Sequence, residues 1–353
     1  MAGSTDSGIR HHRRPESSTP SVNGWAAMAL GRPLEPLTYP APQLGEHDVR
    51  VAVSHCGLCF TDVAAIDDYY GITPFPFVPG HEIVGYVEAR GPGVQELKEG
   101  DRVGIGWQGR SCGQCAWCAG GEEQLCYDIA IAGTWEHHGG FADSVTVDRR
   151  FAYPLPADMP SEVAAVLMCA GAVVYGPLRR YAPESGGRVG IYGVGGLGHL
   201  AIQFADALGY EVTAFSSSPS KEQEALAFGA DRFVLLGDRD RMRPFDYSFD
   251  HLLCTAHGDL DWEELLMTLD KKGRLVLVGF PQVSMNSTDL VSHELVITGS
   301  FLGNHATIQE MLPFAQSHSV TPRIEQLPMA QVNEAIDRLK ENRVRYRIVL
   351  SRV

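Results

Sequence analysis

Eight cysteines stand in this chain, and six of them fall into metal-ligand patterns. Cys112, Cys115, Cys118 and Cys126 form a C-x2-C-x2-C-x7-C run, while Cys59 and Cys169 join His81-Glu82 as a second candidate set. Four thiolates this close can wrap a tetrahedral S4 site, which suits Zn²⁺, a soft enough ion with no redox chemistry, and such a site is closed and structural. A structural zinc contributes roughly 10–16 kcal/mol of apparent binding energy in small peptides. It can therefore fix a lobe that has almost no apolar core, which is what Gly113, Gln114, Ala116, Ala119, Gly120 and Gly121 offer. Disulfides and an iron–sulfur cluster are the competing uses. The absence of a secretory-type apolar segment and the short spacing argue against both. Two zinc ions per chain are expected.

A second chemistry follows further along. Gly193-Val194-Gly195-Gly196-Leu197-Gly198 comes after an apolar strand and opens an amphipathic helix, the setting in which G-x-G-x-x-G cradles a dinucleotide pyrophosphate. Gly193 permits the turn, Gly195 the approach of the phosphates, and Gly198 close helix–strand packing. Past the next strand, a carboxylate would select a free ribose 2′-hydroxyl. Here the segment is Ser216-Ser217-Ser218-Pro219-Ser220-Lys221, hydroxyls and a cation that suit a 2′-phosphate. NADP(H) is the expected cofactor.

These residues need two kinds of scaffold. From Asp48 to about Tyr153, short β-branched runs alternate with Gly and Pro, the grammar of an all-β body with ligands in its loops. After about Ala170, six strands (188–192, 211–215, 232–236, 248–254, 274–278 and 294–298) alternate with helical patterns, predicting a doubly wound parallel sheet. Helices at 306–316 and 331–341 and a strand at 344–350 follow, and are expected to return to the first body. The division is a disordered tail 1–22, a β-rich catalytic domain 23–169 and 304–353 with a metal lobe near 108–128, and a cofactor domain 170–303. At 353 residues the chain has room for both cores, and its net charge of −14 excludes nucleic acid and anionic membranes as natural partners. No apolar run is read as a membrane span, so a cytoplasmic protein is expected.

Taken together, Cys56-Gly-Leu-Cys59-Phe-Thr61-Asp62, Gly80-His81-Glu82, Leu167-Met-Cys169-Ala-Gly171, the four-cysteine run and the glycine turn resemble the zinc-dependent medium-chain alcohol dehydrogenases, in the cinnamyl alcohol dehydrogenase-like branch. The resemblance spans roughly residues 24–353. It implies a GroES-like β-rich catalytic domain plus a Rossmann cofactor domain. It also implies a catalytic zinc on Cys59, His81 and Cys169, with Glu82 able to approach the metal, and Thr61 as the proton-relay hydroxyl. Gly279 and Ser300 join the implied cofactor contacts. Two thiolates and one imidazole leave zinc an open position at which it polarises a carbonyl.

The chain departs from the family where relatives usually carry His or Arg at Phe60, His at Ala64 and Thr at Val173, so the distal proton relay is missing. By motif matching, Tyr70, Ile72, Trp107, Ile131, Phe301 and Leu302 would bound an apolar, aromatic substrate pocket. The expected activity is NADPH-dependent reduction of hydrophobic or aromatic aldehydes to primary alcohols, reversibly, by a homodimer paired along 293–301. Imine, iminium or enone reduction on the same scaffold is the alternative. A non-catalytic zinc- and NADPH-binding sensor is a third reading, from another class.

Overall fold

The computed structural model describes residues 20–352 apart from 70, 132–137, 182–185 and 259. Its β-rich module is a seven-stranded sheet built on the long strand Asp48–Leu58, which pairs antiparallel with Glu82–Arg90, Ser144–Asp148 and Arg347–Ser351. The chain's last strand thus closes the same sheet as its early ones. Arg102–Ile105 and Tyr153–Pro154 extend one side, and Ile324–Pro328 the other. Val49, Val51, Val84, Ile83, Ile105, Val349 and Leu350 are all fully buried, as β-branched and aliphatic side chains on a covered pleat should be.

The second module is a six-stranded parallel sheet. Its strands run, in spatial order, Arg232–Leu235, Glu211–Ser216, Arg188–Tyr192, Phe249–Cys254, Leu269–Leu277 and Val296–Gly299. Chain order reverses beside Arg188–Tyr192, which opens a ligand crevice at the carboxyl ends of that strand and Phe249–Cys254. Val189, Ile191, Leu252 and Leu253 are buried, the continuous apolar run of strands covered on both faces.

Three expectations need correction. The tail does not extend to 22: Ser21–Ala26 is a strand paired with Glu35–Pro40, and Val22 is buried, because its alternating side chains cover the β-module. Residues 1–19 lie outside the described residues. Ser161–Tyr181 forms one helix, interrupted by a π turn at Leu167–Gly171, which the sequence reading left unassigned. The expected domain boundary at 169/170 falls inside it. That helix is also long and apolar enough to cross a bilayer by composition, contrary to the reading that no run is, but most of it is buried between the modules. Ala164, Ala165, Ala170 and Ala172 give it helix propensity and a surface that packs closely.

Candidate active site

Cys59 caps the helix Phe60–Ile66, His81 directly precedes and Glu82 begins the strand Glu82–Arg90, and Cys169 sits in the π turn. A π turn widens the helix by one residue and commonly marks a functional position, here turning one thiol out of a buried helix. Their ligand atoms all lie within 4.8 Å of one another. Asp62 explains the geometry. Its fully buried carboxylate accepts hydrogen bonds from the Cys59 amide at 2.9 Å, the Gly80 amide at 3.0 Å and His81 Nδ1 at 2.9 Å. With Nδ1–H committed to Asp62, a neutral His81 presents its Nε2 lone pair. It is buried without a hydrogen-bond partner, as is Glu82 Oε2.

Charge makes the same point. Among the described residues, Arg347 is the buried arginine set against Glu82 and the two thiols, and it pairs with Glu82. Hydrogen bonding with Cys169 holds the Cys59 thiol well below its usual range, against burial, and the same contact pushes Cys169 up. Burial pulls the His81 imidazole down, but Asp62 and then Cys59 reverse this and leave it well above its usual value. Burial raises Glu82 to about 7, partly offset by Arg347. The cluster thus retains protons that a divalent cation would displace, which is how thiolate sites couple metal binding to proton release. A soft-to-borderline metal fits this donor set.

The four-cysteine lobe is assembled too. Cys112 and Cys118 sulfurs lie 4.0 Å apart and those of Cys115 and Cys126 3.9 Å apart, close to the about 3.8 Å edge of a tetrahedron with 2.3 Å zinc–sulfur bonds. Backbone amides support the sulfurs: Cys115 N–H points at Cys112, and Cys112 N–H and Asp128 N–H at Cys126, each at 3.4 Å. Amide donors hold Cys112 below its usual value and bring Cys115 to about 6, while burial raises Cys126 to about 12.

At the crevice, Gly193 has φ +98°, and a Cβ on Gly198 would stand 1.8 Å from the Gly193 carbonyl oxygen. A Cβ on Gly195 would meet nothing within 4 Å, so the turn keeps an open face there. Gly196 packs under the Tyr346 carbonyl, and Val194 is buried while Leu197 sits at the edge of the core. Ser216 is buried and accepts from the Ser218 amide at 3.2 Å, Ser217 is exposed, and Lys221 lies 3.8 Å over the Tyr346 ring. The sequence reading missed Arg323 and Arg345, which close on Glu224 beside Lys221 from the C-terminal segment and leave three cations around one carboxylate. Gly279 lies against the Ala256 carbonyl, and the Ser300 amide donates to Leu277.

Thr61 Oγ1 stands 3.6 Å from Cys59 Sγ. Phe60 is 53% exposed and stacks on His257 with ring centroids 5.9 Å apart, a histidine no motif had flagged. Ala64 and Val173 are buried. Trp107 and Phe301 meet edge to face at 5.1 Å, and Leu302 packs at the core's margin. Ile72 is 61% exposed and Phe301 41%, while Trp107 is buried. Tyr70 and the side chain of Ile131 lie outside the described residues.

A metal-ligating β-module joined to a doubly wound nucleotide-type module defines a class of two-domain dehydrogenases. Residues 45–157 match the alcohol dehydrogenase GroES-like domain and residues 196–317 the zinc-binding dehydrogenase domain. The chain belongs to the zinc-dependent medium-chain alcohol dehydrogenase family, in its cinnamyl alcohol dehydrogenase-like branch. It is 37% identical to 8-hydroxygeraniol dehydrogenase of Catharanthus roseus, covering 96% of this chain and 97% of that protein. Aldehyde reductase AdhA of Synechocystis is 36% identical, with 94% and 98% covered. A cinnamyl alcohol dehydrogenase from Sorghum bicolor superposes with a TM-score of 0.89 at 37% identity, over 94% of this chain and 98% of that one.

Proposed function

We propose that this alcohol dehydrogenase is an NADP(H)-dependent reductase of hydrophobic, chiefly aromatic aldehydes, reversible towards the primary alcohols, with zinc held at both cysteine clusters. The observation that carries the reading is the buried Cys59–His81–Glu82–Cys169 group, with His81 Nε2 unpartnered, beside a glycine turn that opens a nucleotide crevice. Zinc bound by Cys59, His81 and Cys169 would supply Lewis-acid polarisation of the carbonyl. Asp62 fixes the His81 tautomer, Arg347 balances Glu82, and Thr61 supplies the hydroxyl that exchanges the substrate proton. The 193–198 turn, Gly279 and Ser300 would line the cofactor. Ser216, Ser217, Ser218 and Lys221 would take the 2′-phosphate, with Arg323 and Arg345 adding positive potential. The CAD from Helicobacter pylori, solved in complex with NADP(H), is 28% identical with a TM-score of 0.86 and supports that choice.

Residues 21–160 and 304–353 would form the catalytic division and residues 188–303 the cofactor division, with the 161–181 helix as the bridge. Free thiols throughout, eight of them, suit a reducing cytoplasm. The outer strand Val296–Gly299 has one sheet edge without a partner among the described residues, which supports a homodimer. Light scattering should report twice the 38.5 kDa chain mass, and a 38.5 kDa species at micromolar concentration would overturn the dimer.

Purified protein should carry close to two zinc equivalents and consume NADPH with aromatic aldehydes. A single equivalent, or no loss of NADPH absorbance with any aldehyde, refutes the reading. The apolar Phe60 and Ala64 favour one second reading, iminium reduction, which needs no proton at hydride transfer.

A further inference from the structure

The segments that carry Trp107 and Phe301 pack on the Cys169 turn, and both are tied to the four-cysteine lobe. Trp107 follows Gly106, where a Cβ would stand 2.7 Å from the Met168 carbonyl oxygen, so the link between strands Arg102–Ile105 and Gln108–Arg110 lies directly on the residue before Cys169. Phe301 precedes Gly303, where a Cβ would come within 3.2 Å of Ala172, just past the turn. The rings meet at 85°.

Glu123 connects to both. Its backbone carbonyl accepts from Gln108 Nε2 at 2.7 Å, one residue after Trp107. Its carboxylate accepts from the His305 amide at 3.0 Å and faces His305 Nε2 at 3.3 Å. His305 Nδ1 lies 2.7 Å from the Tyr153 hydroxyl. A Tyr153 O–H donating to Nδ1 leaves Nε2–H for Glu123, so a neutral imidazole satisfies both contacts. Asn304 adds a bond to the Gly121 carbonyl at 2.7 Å. Glu123 is 6% exposed and its Oε2 has no partner, a costly placement for a carboxylate on a surface lobe. It also opens the short turn Glu123–Leu125 that ends at Cys126, so whatever fixes the cysteines fixes Glu123.

We infer that Glu123 is a positioning residue through which the four-cysteine lobe sets the relative placement of Trp107 and Phe301, and thereby selects flat aromatic aldehydes over small aliphatic ones. The inference rests on the proposed aldehyde reductase activity. The lobe is then a specificity device as well as a staple: it holds both walls of the cleft at a distance from the reacting group.

The test compares Glu123→Ala and Glu123→Gln holoenzymes with wild type, using cinnamaldehyde and propanal with NADPH, after elemental analysis has confirmed metal content. Binding of cinnamamide and propanamide, measured by calorimetry in the presence of NADPH, gives a readout apart from turnover. Glu123→Ala should raise the cinnamaldehyde KM and the cinnamamide Kd about tenfold, the scale of one misplaced wall contact. Its kcat should stay within about twofold and its propanal constants unchanged. Glu123→Gln should restore the wild-type values, since its amide oxygen still accepts from the His305 amide. Should Glu123→Ala lose metal, Asn304→Asp, which lies outside the lobe, keeps the acceptor that caps Thr307 and removes the bond to the Gly121 carbonyl, carries the same expectation. Equal losses for both aldehydes, or no change with metal retained, overturn the inference. Wild type inactive on both aldehydes overturns the function itself and this inference with it.

Discussion

Replacing Thr61 with valine is expected to lower kcat for aldehyde reduction by about 10²–10⁴, the usual worth of a positioned acid–base group. Valine keeps the shape of threonine and removes a hydroxyl beside Cys59, 3.6 Å from its sulfur. Reduction places negative charge on the former carbonyl oxygen, which needs a proton donor within reach. Its immediate surroundings offer few alternatives: Phe60 has no polar side-chain atom, and Ala64 is buried and aliphatic. NADPH affinity and zinc content should stay near wild type, because Thr61 donates to neither the glycine turn nor the Asp62 network. The effect corresponds to about 3–5 kcal/mol of barrier. Unchanged turnover of the best substrate would reject the carbonyl mechanism and favour the iminium one, whose neutral amine product needs no proton at the moment of hydride transfer.

Ser217→Asp is expected to shift the ratio of kcat/KM for NADPH over NADH by about 10–100-fold towards NADH, or about 1.4–2.7 kcal/mol. The substitution puts a carboxylate at the end of the second sheet strand, where it repels a 2′-phosphate and can bond a 2′-hydroxyl. Ser217 is exposed, so water screens part of the repulsion, and the effect falls short of what a buried like-charge pair would give. Lys221, Arg323 and Arg345 remain in place, which keeps some affinity for NADPH. Steady-state kinetics with both cofactors decide the matter. A wild type that already prefers NADH would refute the phosphate site.

The aromatic wall adds a dependence that neither substitution touches. In the proposed mechanism Thr61 would act on the reacting oxygen and Ser217 at the far end of the cofactor. Trp107 and Phe301 would act on the substrate's body, and Glu123, through its bonds with Gln108 and the His305 amide, links the four-cysteine lobe to the segments that carry them. On that inference, stability and specificity would be coupled in this part of the molecule.

By itself the sequence determined the features that short spacings encode. C-x2-C-x2-C-x7-C can close on one ion because its thiols are neighbours in the chain, and the glycine turn is a local backbone requirement that a Cβ at Gly198 would violate. Alternating strand and helix patterns sufficed for a parallel sheet, since both faces must be covered. Only the tertiary structure decided what holds the ligands in place. Asp62 reaches His81 across 19 residues, Glu123 reaches the His305 amide across 182, and Arg347 reaches Glu82 across 265. A buried carboxylate needs donors but does not say in sequence which ones, because its partner is chosen by sheet register and helix packing. The π turn at Leu167–Gly171 is hidden for the same reason: its apolar, alanine-rich sequence fits an ordinary helix, and the widening that presents Cys169 becomes visible only when the two modules pack around it.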